Sequence, residues 1–297
     1  MSRSSRRDVA FGPGAIGRSI APRLDRIVQW SSYPVSSKSC IFSPPARKQH
    51  VVLAGSGNIV VFGGSGGTGS EVIYQALKEG YSVTTLARTP GSVLIPPGSG
   101  GSEEGKPFAD DNLTVVKGDI TNKQDVASVM SPDTVGVVVA LGGKTKDVGP
   151  TMLTDGTTHV IDAMKDNGVK RVAVVTSIGV GDSAEQAPFF FKVLMFTVMK
   201  SIFTDKGNQE ALFLNGPGSD LEYCLVRPGG LGTGAPTGEV NVIQGEAGSI
   251  ERADVAAFCL SALLDPGFEY LKQAPCISSV GGTSWVKDRQ GKGMMEA

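Results

Sequence analysis

Asn58-Ile-Val-Val-Phe-Gly-Gly-Ser-Gly-Gly-Thr-Gly69 is the stretch of sequence that decides the fold of this chain. Its first five residues form a short apolar run that ends in glycines, which is typical of a buried parallel strand. The residues from Thr68 to Glu79 then predict a helix that stops at Gly80. A glycine loop between a buried strand and a helix is the setting in which proteins bind the pyrophosphate of a dinucleotide. The stretch therefore predicts a dinucleotide site at the start of a βαβ unit.

The glycines of this loop are expected to have separate physical roles. One glycine turns the chain after the strand, Gly66 leaves room for the pyrophosphate, and Gly69 lets the helix pack closely on the strand. The first turn of the helix has free N–H groups and the positive end of the helix dipole, so phosphates are favoured there. The predicted loop residues are Gly63, Gly64, Ser65, Gly66, Gly67, Thr68 and Gly69.

The second predicted strand, Ser82 to Ala87, indicates which dinucleotide is preferred. An NAD site usually ends this strand in Asp or Glu, which binds the ribose 2′-hydroxyl, but no acid lies between Tyr81 and Gly101. Arg88 stands at the end of the strand, and a guanidinium there suits a 2′-phosphate. The sequence therefore favours NADP(H) over NAD(H).

The rest of the chain alternates between apolar runs and helical patterns. Strands are expected at residues 113–117, 135–141, 170–177, 221–227 and 276–280, and helices at 121–130, 152–167, 252–264 and in a segment ending near 214. Residues 90–112 are rich in Gly, Pro and Ser, and predict a loop insertion on the surface. This alternation predicts an α/β fold with a single doubly wound parallel sheet, covered by helices on both faces.

Composition excludes several other classes of protein. The chain has 297 residues and a net charge of −1, so a nucleic-acid partner is not expected. Two His residues are too few for a His-rich metal site, and we expect His159 to be structural or solvated. Four separated Cys residues without a CxxC spacing favour neither a zinc site nor a disulfide framework. No metal site is predicted.

The N-terminal segment differs in charge from the remainder of the chain. Residues 1–50 have a net charge of +7 and are rich in Ser and Arg, whereas the remainder has −8. Such a composition is typical of an organelle transit peptide, although an ordinary basic tail or a misassigned start would look the same. We therefore predict an extension over residues 1–56, an NAD(P)-binding domain over 57–287 and a disordered tail over 288–297.

The segment Phe189–Phe203 is the most apolar stretch outside the predicted strands. It has fifteen residues and carries Lys192 and Lys200, which is too short and too charged for a membrane span. Two interpretations remain open: a core helix that covers the sheet, or an exposed patch for a protein partner or a membrane surface.

Several motifs occur in the order found in a known superfamily. After the glycine loop come Val116-Lys-Gly-Asp119-Ile, Val138-Val-Ala-Leu-Gly-Gly143 and Gly168-Val-Lys-Arg-Val-Ala-Val-Val-Thr-Ser177. Leu225-Val-Arg-Pro-Gly-Gly-Leu231 and Ser249-Ile-Glu-Arg-Ala-Asp254 follow. Over residues 57–284 the chain thus resembles the atypical short-chain dehydrogenases/reductases, among them biliverdin reductase B, NmrA-like and plastid Tic-type proteins.

This resemblance implies a Rossmann fold and further cofactor contacts. The Asp119 turn would lie by the adenine, the loop after the fourth strand under the nicotinamide ribose, and the Arg-Pro-Gly element at the nicotinamide end. The residues implied are Asp119, Ile120, Ala140, Leu141, Gly142, Lys206, Arg227, Pro228 and Gly229. The plastid preference for the location also rests on the resemblance, with a mitochondrion or the cytoplasm as alternatives.

The chain departs from the resemblance at the proton donor. Extended relatives use a Tyr-x-x-x-Lys pair in which the Tyr passes a proton to a carbonyl substrate. Lys206 matches that Lys, but Ile202 stands four residues earlier, and none of the five Tyr residues has the required spacing. Ser177, at the end of the fifth predicted strand, and Lys206 are the remaining catalytic candidates. Lys206 could instead bind the nicotinamide ribose or be a surface charge.

Three functional classes follow from these observations. The first is an NADPH-dependent reductase whose flavin-, quinone- or tetrapyrrole-like acceptor can take its proton from water, since the cofactor supplies the difficult chemistry. The second is a non-catalytic NADP(H) sensor or scaffold. The third is a plastid membrane-associated helper that holds a partner through Phe189–Phe203. The sequence does not identify the acceptor.

Overall fold

The computed structural model describes residues 40–42, 57–142, 150–186, 197, 199–242 and 248–279. The predicted disordered tail, nearly all of the N-terminal extension and most of Phe189–Phe203 lie outside the described residues. Among the residues that are described, no helix is both long and apolar enough to cross a membrane.

The described elements follow the predicted alternation. The strands are β1 (Cys40–Phe42), β2 (Asn58–Phe62), β3 (Ser82–Ala87), β4 (Leu113–Lys117), β5 (Thr134–Val139), β6 (Arg171–Val175), β7 (Glu222–Pro228), β8 (Gly230–Gly232), β9 (Val240–Val242), β10 (Ser249–Glu251) and β11 (Cys276–Ser279). The α-helices are α1 (Gly67–Lys78), α2 (Pro97–Gly100), α3 (Lys123–Ser128), α4 (Met152–Asp166), α5 (Lys200–Leu214) and α6 (Arg252–Leu264).

The main sheet has the strand order β1-β9-β11-β7-β6-β5-β2-β3-β4, and β8 pairs with β10 separately. In this spatial order, every pair of neighbouring strands from β11 to β4 is parallel. The strand β9 is antiparallel to both of its neighbours, β11 and β1. The doubly wound parallel sheet is therefore confirmed, with an antiparallel edge that the sequence did not predict. The strand β1 lies within the extension that we expected to be outside the fold.

Alternate residues of each central strand enter two separate apolar cores. Val61 and Val226 lie in the core under α1 and α6, while Val60 and Leu225 lie in the core under α3, α4 and α5. Residues that face opposite sides of the sheet are all fully buried, so the strands read as continuous apolar runs. The sheet between the two cores presents the carboxyl ends of its parallel strands at one edge, which is where ligands bind in such sheets.

The insertion at residues 90–112 differs from the predicted surface loop. It contains α2 and two short 3-10 helices, Pro90–Ser92 and Gly101–Glu103. The buried carboxylate of Glu71 in α1 accepts hydrogen bonds from the N–H groups of Gly98 and Ser99, at 2.9 and 3.2 Å. The insertion is thus attached to the helix that follows the glycine loop.

Candidate functional site

The glycine loop after β2 has the geometry expected for a dinucleotide loop. Gly63 has a φ of +92°, and a Cβ there would overlap the carbonyl oxygen of Ala140. A Cβ on Gly69 would overlap the carbonyl oxygen of Gly63, so Gly69 sets how closely α1 packs on the loop. At Gly66 the only nearby atom is that same oxygen, 3.2 Å from a built Cβ. The open space therefore lies at Gly66, where a pyrophosphate would approach.

The first turn of α1 is suited to an anion. Its N-cap, Gly66, has no side chain to satisfy the free N–H groups, and its first turn contains no acid. Ser65, Gly66 and Gly67 are exposed, while Gly64, Thr68 and Gly69 lie buried beneath them. These residues thus fit a dinucleotide phosphate, and the buried members of the predicted loop support the exposed ones.

A cleft of about 270 Å³ opens beside this loop. Seven predicted residues line it: Gly63, Ser65, Arg88, Asp119, Ile120, Leu141 and Gly142. The sequence did not predict seven others: Leu86, Ala87, Gly118, Thr121, Thr151, Met152 and Asp155. The cleft joins the ends of β2, β3, β4 and β5 to the start of α4.

Arg88 and Asp119 both line the cleft, and their opposite charges attract each other. Hydrogen bonds from the N–H and hydroxyl of Thr121, at 2.9 and 2.8 Å, lower the pKa of Asp119, and the charge of Arg88 adds to this effect. Arg88 is exposed, and no carboxylate lies within 4 Å of it among the described residues. Its guanidinium is therefore available to a phosphate.

The start of α4 contributes three of the lining residues that were not predicted from the sequence: Thr151, Met152 and Asp155. Thr151 donates a hydrogen bond from its hydroxyl to Asp155, at 2.7 Å. The N–H groups of Leu153 and Thr154 donate to the buried carboxylate of Asp205 on α5, at 2.8 and 3.0 Å. No motif marks these residues, since the signal is a carboxylate about fifty positions away that caps the helix.

The two catalytic candidates lie near the carboxyl end of β6. The ammonium of Lys206 donates to the carbonyl oxygens of Thr176 at 3.1 Å and Val175 at 3.4 Å. Ser177 follows Thr176 directly, and its hydroxyl donates to the carbonyl oxygen of Ile178 at 3.0 Å. Lys206 is half-buried as a residue, with its ammonium inside. Burial lowers the pKa of Lys206 to about 8, although the carboxylates of Glu210 and Asp205 act in the opposite direction.

The side chain of Arg227 is buried and bound by carboxylates, so it is not open to a ligand. Only 3% of its side chain is exposed, and its guanidinium binds Glu210 through Nε at 3.0 Å and Nη2 at 2.6 Å. Nη1 binds Asp182, which is 88% exposed. Burial opposes the charge, but the hydrogen bonds and charge of Glu210, helped by Asp182, raise the pKa of Arg227 above its ordinary value. The expected contact between the Arg227 guanidinium and the cofactor is therefore not favoured by this structure, because that guanidinium is already bound by Glu210 and Asp182.

The segment after β8 is held in place by two acids, Glu251 at the end of β10 and Asp254 in α6. The buried carboxylate of Asp254 accepts bonds from the N–H and hydroxyl of Thr237 and from the N–H of Gly238, at 2.7–3.1 Å. Glu251 accepts from the N–H of Gly234 at 2.5 Å. The Ser249–Asp254 motif therefore fixes the loop that follows the Arg-Pro-Gly element.

Comparison with known proteins supports the type of ligand. Residues 63–266 match a family model described as NAD(P)H-binding. An uncharacterized chloroplastic protein of Arabidopsis thaliana is 30% identical over 221 residues, which cover 69% of this chain and 71% of that protein. A 3-beta-hydroxysteroid dehydrogenase of Mycolicibacterium neoaurum is 25% identical over 188 residues, which cover 59% of this chain and 48% of that enzyme.

A solved structure of a reductase is also similar to this chain. ChuY, described as an anaerobillin reductase from Escherichia coli O157:H7, is 25% identical with a TM-score of 0.57. The match covers 75% of this chain and 97% of ChuY. The expected superfamily resemblance and the nicotinamide cofactor are confirmed, while the preference for NADP(H) stays a prediction.

Proposed function

Because this chain belongs to the NAD(P)H-binding family, we propose that it is an NADPH-dependent reductase that passes a hydride to a flavin-, quinone- or tetrapyrrole-like acceptor without a tyrosine acid. The observation that carries this proposal is the carboxyl end of β6. Lys206 is bound there beside Ser177, and the position that would hold the acid is Ile202. The reductase name of ChuY supports the reaction class.

The described tyrosines are all engaged elsewhere. Tyr223 is buried in β7, with its ring centroid 5.5 Å from that of Phe213. Tyr270 packs in an aromatic cluster with Phe258 and Phe268. Tyr74 lies on α1 under the ammonium of Lys78, and Tyr81 precedes β3. None of these four stands on α5 near Lys206, so the usual proton donor is absent from the described residues.

The roles of the chain's own groups follow from their positions. The exposed backbone at Ser65–Gly67 would hold the pyrophosphate, Arg88 the 2′-phosphate, and the Ser177 hydroxyl would orient the acceptor. A reduced nicotinamide supplies a hydride when bound, and the acceptor takes up that hydride and a proton. A ketone needs a positioned acid worth about 10²- to 10⁴-fold in rate. A flavin or quinone delocalises the incoming charge and needs that acid less.

NADPH is the proposed reductant because the cleft offers a cation and no acid at the end of β3. Arg88 comes directly after that strand, at the position where an NAD-binding chain has Asp or Glu. Asp119 is on the next strand end and is already bonded to Thr121.

The test of the proposal is an acceptor panel. Loss of nicotinamide absorbance would be followed with FMN, a soluble quinone, biliverdin and a simple ketone, each with NADPH and with NADH. We expect slow turnover of the first three acceptors with NADPH and almost none of the ketone. Rapid ketone reduction would contradict the proposal, because it requires a positioned acid, and Ile202 stands where that acid would be.

A second candidate is a non-catalytic NADP(H) sensor or scaffold. It is favoured by one observation: Lys206 and Ser177 both donate to main-chain carbonyls, so neither group is poised toward an open substrate space. Tight NADPH binding together with no turnover of any acceptor would support this candidate over the reductase.

We also propose a plastid location. The support is the basic, Ser- and Arg-rich composition of residues 1–50 and the chloroplastic Arabidopsis relative. A fluorescent fusion of the full chain that stays in the cytosol would contradict this location.

A further inference from the structure

Arg252 stands at the junction between the Arg-Pro-Gly element and the glycine loop. It is the first residue of α6 and follows β10, which pairs in parallel with β8. Its Nη1 donates to the carbonyl oxygens of Leu231 at 3.2 Å and Gly232 at 2.9 Å. These two bonds fix the direction of the side chain, which is partly buried.

The other side of the same guanidinium lies against the start of α1. A Cβ built on Gly67 would be 2.7 Å from Cδ of Arg252 and 2.8 Å from its Nε. Only a glycine at this position lets the arginine approach so closely. Gly67 is itself one of the exposed loop residues, so Arg252 borders the space that the pyrophosphate would occupy.

The donors of Arg252 are not all used. Within the described part of the chain, its Nε and Nη2 make no hydrogen bond and it forms no ion pair. The nearby first turn of α1 also has free N–H groups and no acid. A fixed cation and free backbone donors therefore face a common space, and charge-assisted bonds to phosphate are about twice as strong as neutral ones.

We propose that Arg252 binds the pyrophosphate of the cofactor. This proposal rests on the dinucleotide binding of the proposed function and assigns separate roles to Arg88 and Arg252. Arg88, at the outer end of the cleft, distinguishes the 2′-phosphate. Arg252, which lies against Gly67 at the start of α1, neutralises the group that NADPH and NADH share.

The experiment compares Arg252→Met, Arg252→Gln and Arg252→Lys with the wild type. Affinities for NADPH and NADH would be measured by titration, and adenosine 2′-monophosphate, which has no pyrophosphate, would be used as a competitor. We expect the Met and Gln variants to lose about tenfold or more in affinity for both dinucleotides, with unchanged competition by adenosine 2′-monophosphate. The Lys variant should recover most of the affinity, and raising the salt concentration should weaken the wild type more than the Met variant.

Three outcomes would overturn this assignment. Wild-type affinity in the Gln variant would mean that the bonds to Leu231 and Gly232, rather than the charge, are what matters. An equal loss for adenosine 2′-monophosphate would indicate a distorted cleft, and wild-type affinity in the Met variant would remove Arg252 from the site. Lys78→Met, at the other end of α1, is the matched control and should bind as the wild type does. Failure of the wild type to bind either dinucleotide would instead refute the proposed function.

Discussion

Replacing Lys206 by Met should make the folded protein more stable at neutral pH, although it removes the hydrogen bonds from its ammonium to the carbonyl oxygens of Val175 and Thr176. Burial lowers the pKa of this ammonium from 10.5 to about 8, so holding it charged at pH 7 costs about 3 kcal/mol. The lost hydrogen bond to Thr176 offsets about 1 kcal/mol of the gain. We expect the free energy of unfolding to rise by about 2 kcal/mol at pH 7.

The pH dependence gives the sharper measurement. Between pH 8 and 10.5 the unfolded chain binds more protons at Lys206 than the folded chain does, so the wild type gains stability as pH rises. The stability difference between Lys206→Met and wild type should therefore fall by about 2 to 3 kcal/mol from pH 7 to pH 10.

Urea unfolding at several pH values would give both free energies, with Lys200→Met as the control. Lys200 is exposed at the start of the same helix, so its ammonium keeps its hydration and its replacement should produce a flat difference. A difference for Lys206→Met that does not change from pH 7 to 10 would refute the reasoning, because it would mean that the ammonium is solvated in the folded state.

Other substitutions test separate parts of the structure. Arg88→Ala should weaken NADPH binding about ten- to hundredfold and NADH binding little, and an equal loss for both would show an effect on folding instead. Gly66→Val should prevent binding of either dinucleotide. The unfolding temperature should stay near the wild-type value, because a Cβ at Gly66 meets only the carbonyl oxygen of Gly63, at 3.2 Å. Unchanged NADPH and NADH titrations would remove the loop from the site. Glu210→Gln should cost about 3–5 kcal/mol of unfolding free energy, because it removes the buried carboxylate from Arg227 and leaves only the exposed Asp182, among the described residues, to balance that buried charge. Glu222→Gln, in a half-exposed pair, should cost about 1 kcal/mol or less, and similar losses for the two variants would contradict this distinction. Deleting the first 42 residues removes β1 and should lower the unfolding temperature below that of a chain that lacks only the first 38, as measured by differential scanning fluorimetry; equal temperatures would show that β1 adds no stability.

Some elements with clear apolar runs could be predicted from the sequence to the residue. The strand Ser82–Ala87 and the helix Arg252–Leu264 have the expected bounds, because apolar runs and glycines mark their ends locally. The three-residue strands β8, β9 and β10 could not be predicted, since three residues are too few to show a period.

The residues of the site differ in how far away their determining contacts lie: some depend on neighbouring residues and others on residues distant in the sequence. The glycine loop was predictable because its requirements are those of neighbouring backbone atoms. Arg227 was expected near the nicotinamide, but its guanidinium is bound by Glu210, seventeen positions earlier, and nothing in the Arg-Pro-Gly motif shows this partner. Asp155 lines the cleft at the start of α4, where Asp205 accepts a hydrogen bond from the N–H of Leu153, and this is again a contact between distant residues.

The buried face of α5 carries three polar side chains beside the apolar Phe213. Asp205, Gln209 and Glu210 are each 1% exposed, and each is bonded to a specific partner on α4, β7 or the end of β6. Apolar faces tolerate a slide of half a turn, but a row of such bonds does not, because any shift would leave several buried groups unpaired at once. These hydrogen bonds therefore hold α5 in a single register against α4 and the sheet. A protein engineer could exchange the residues that precede it, in search of new acceptors, and still expect Lys206 to return to the same place.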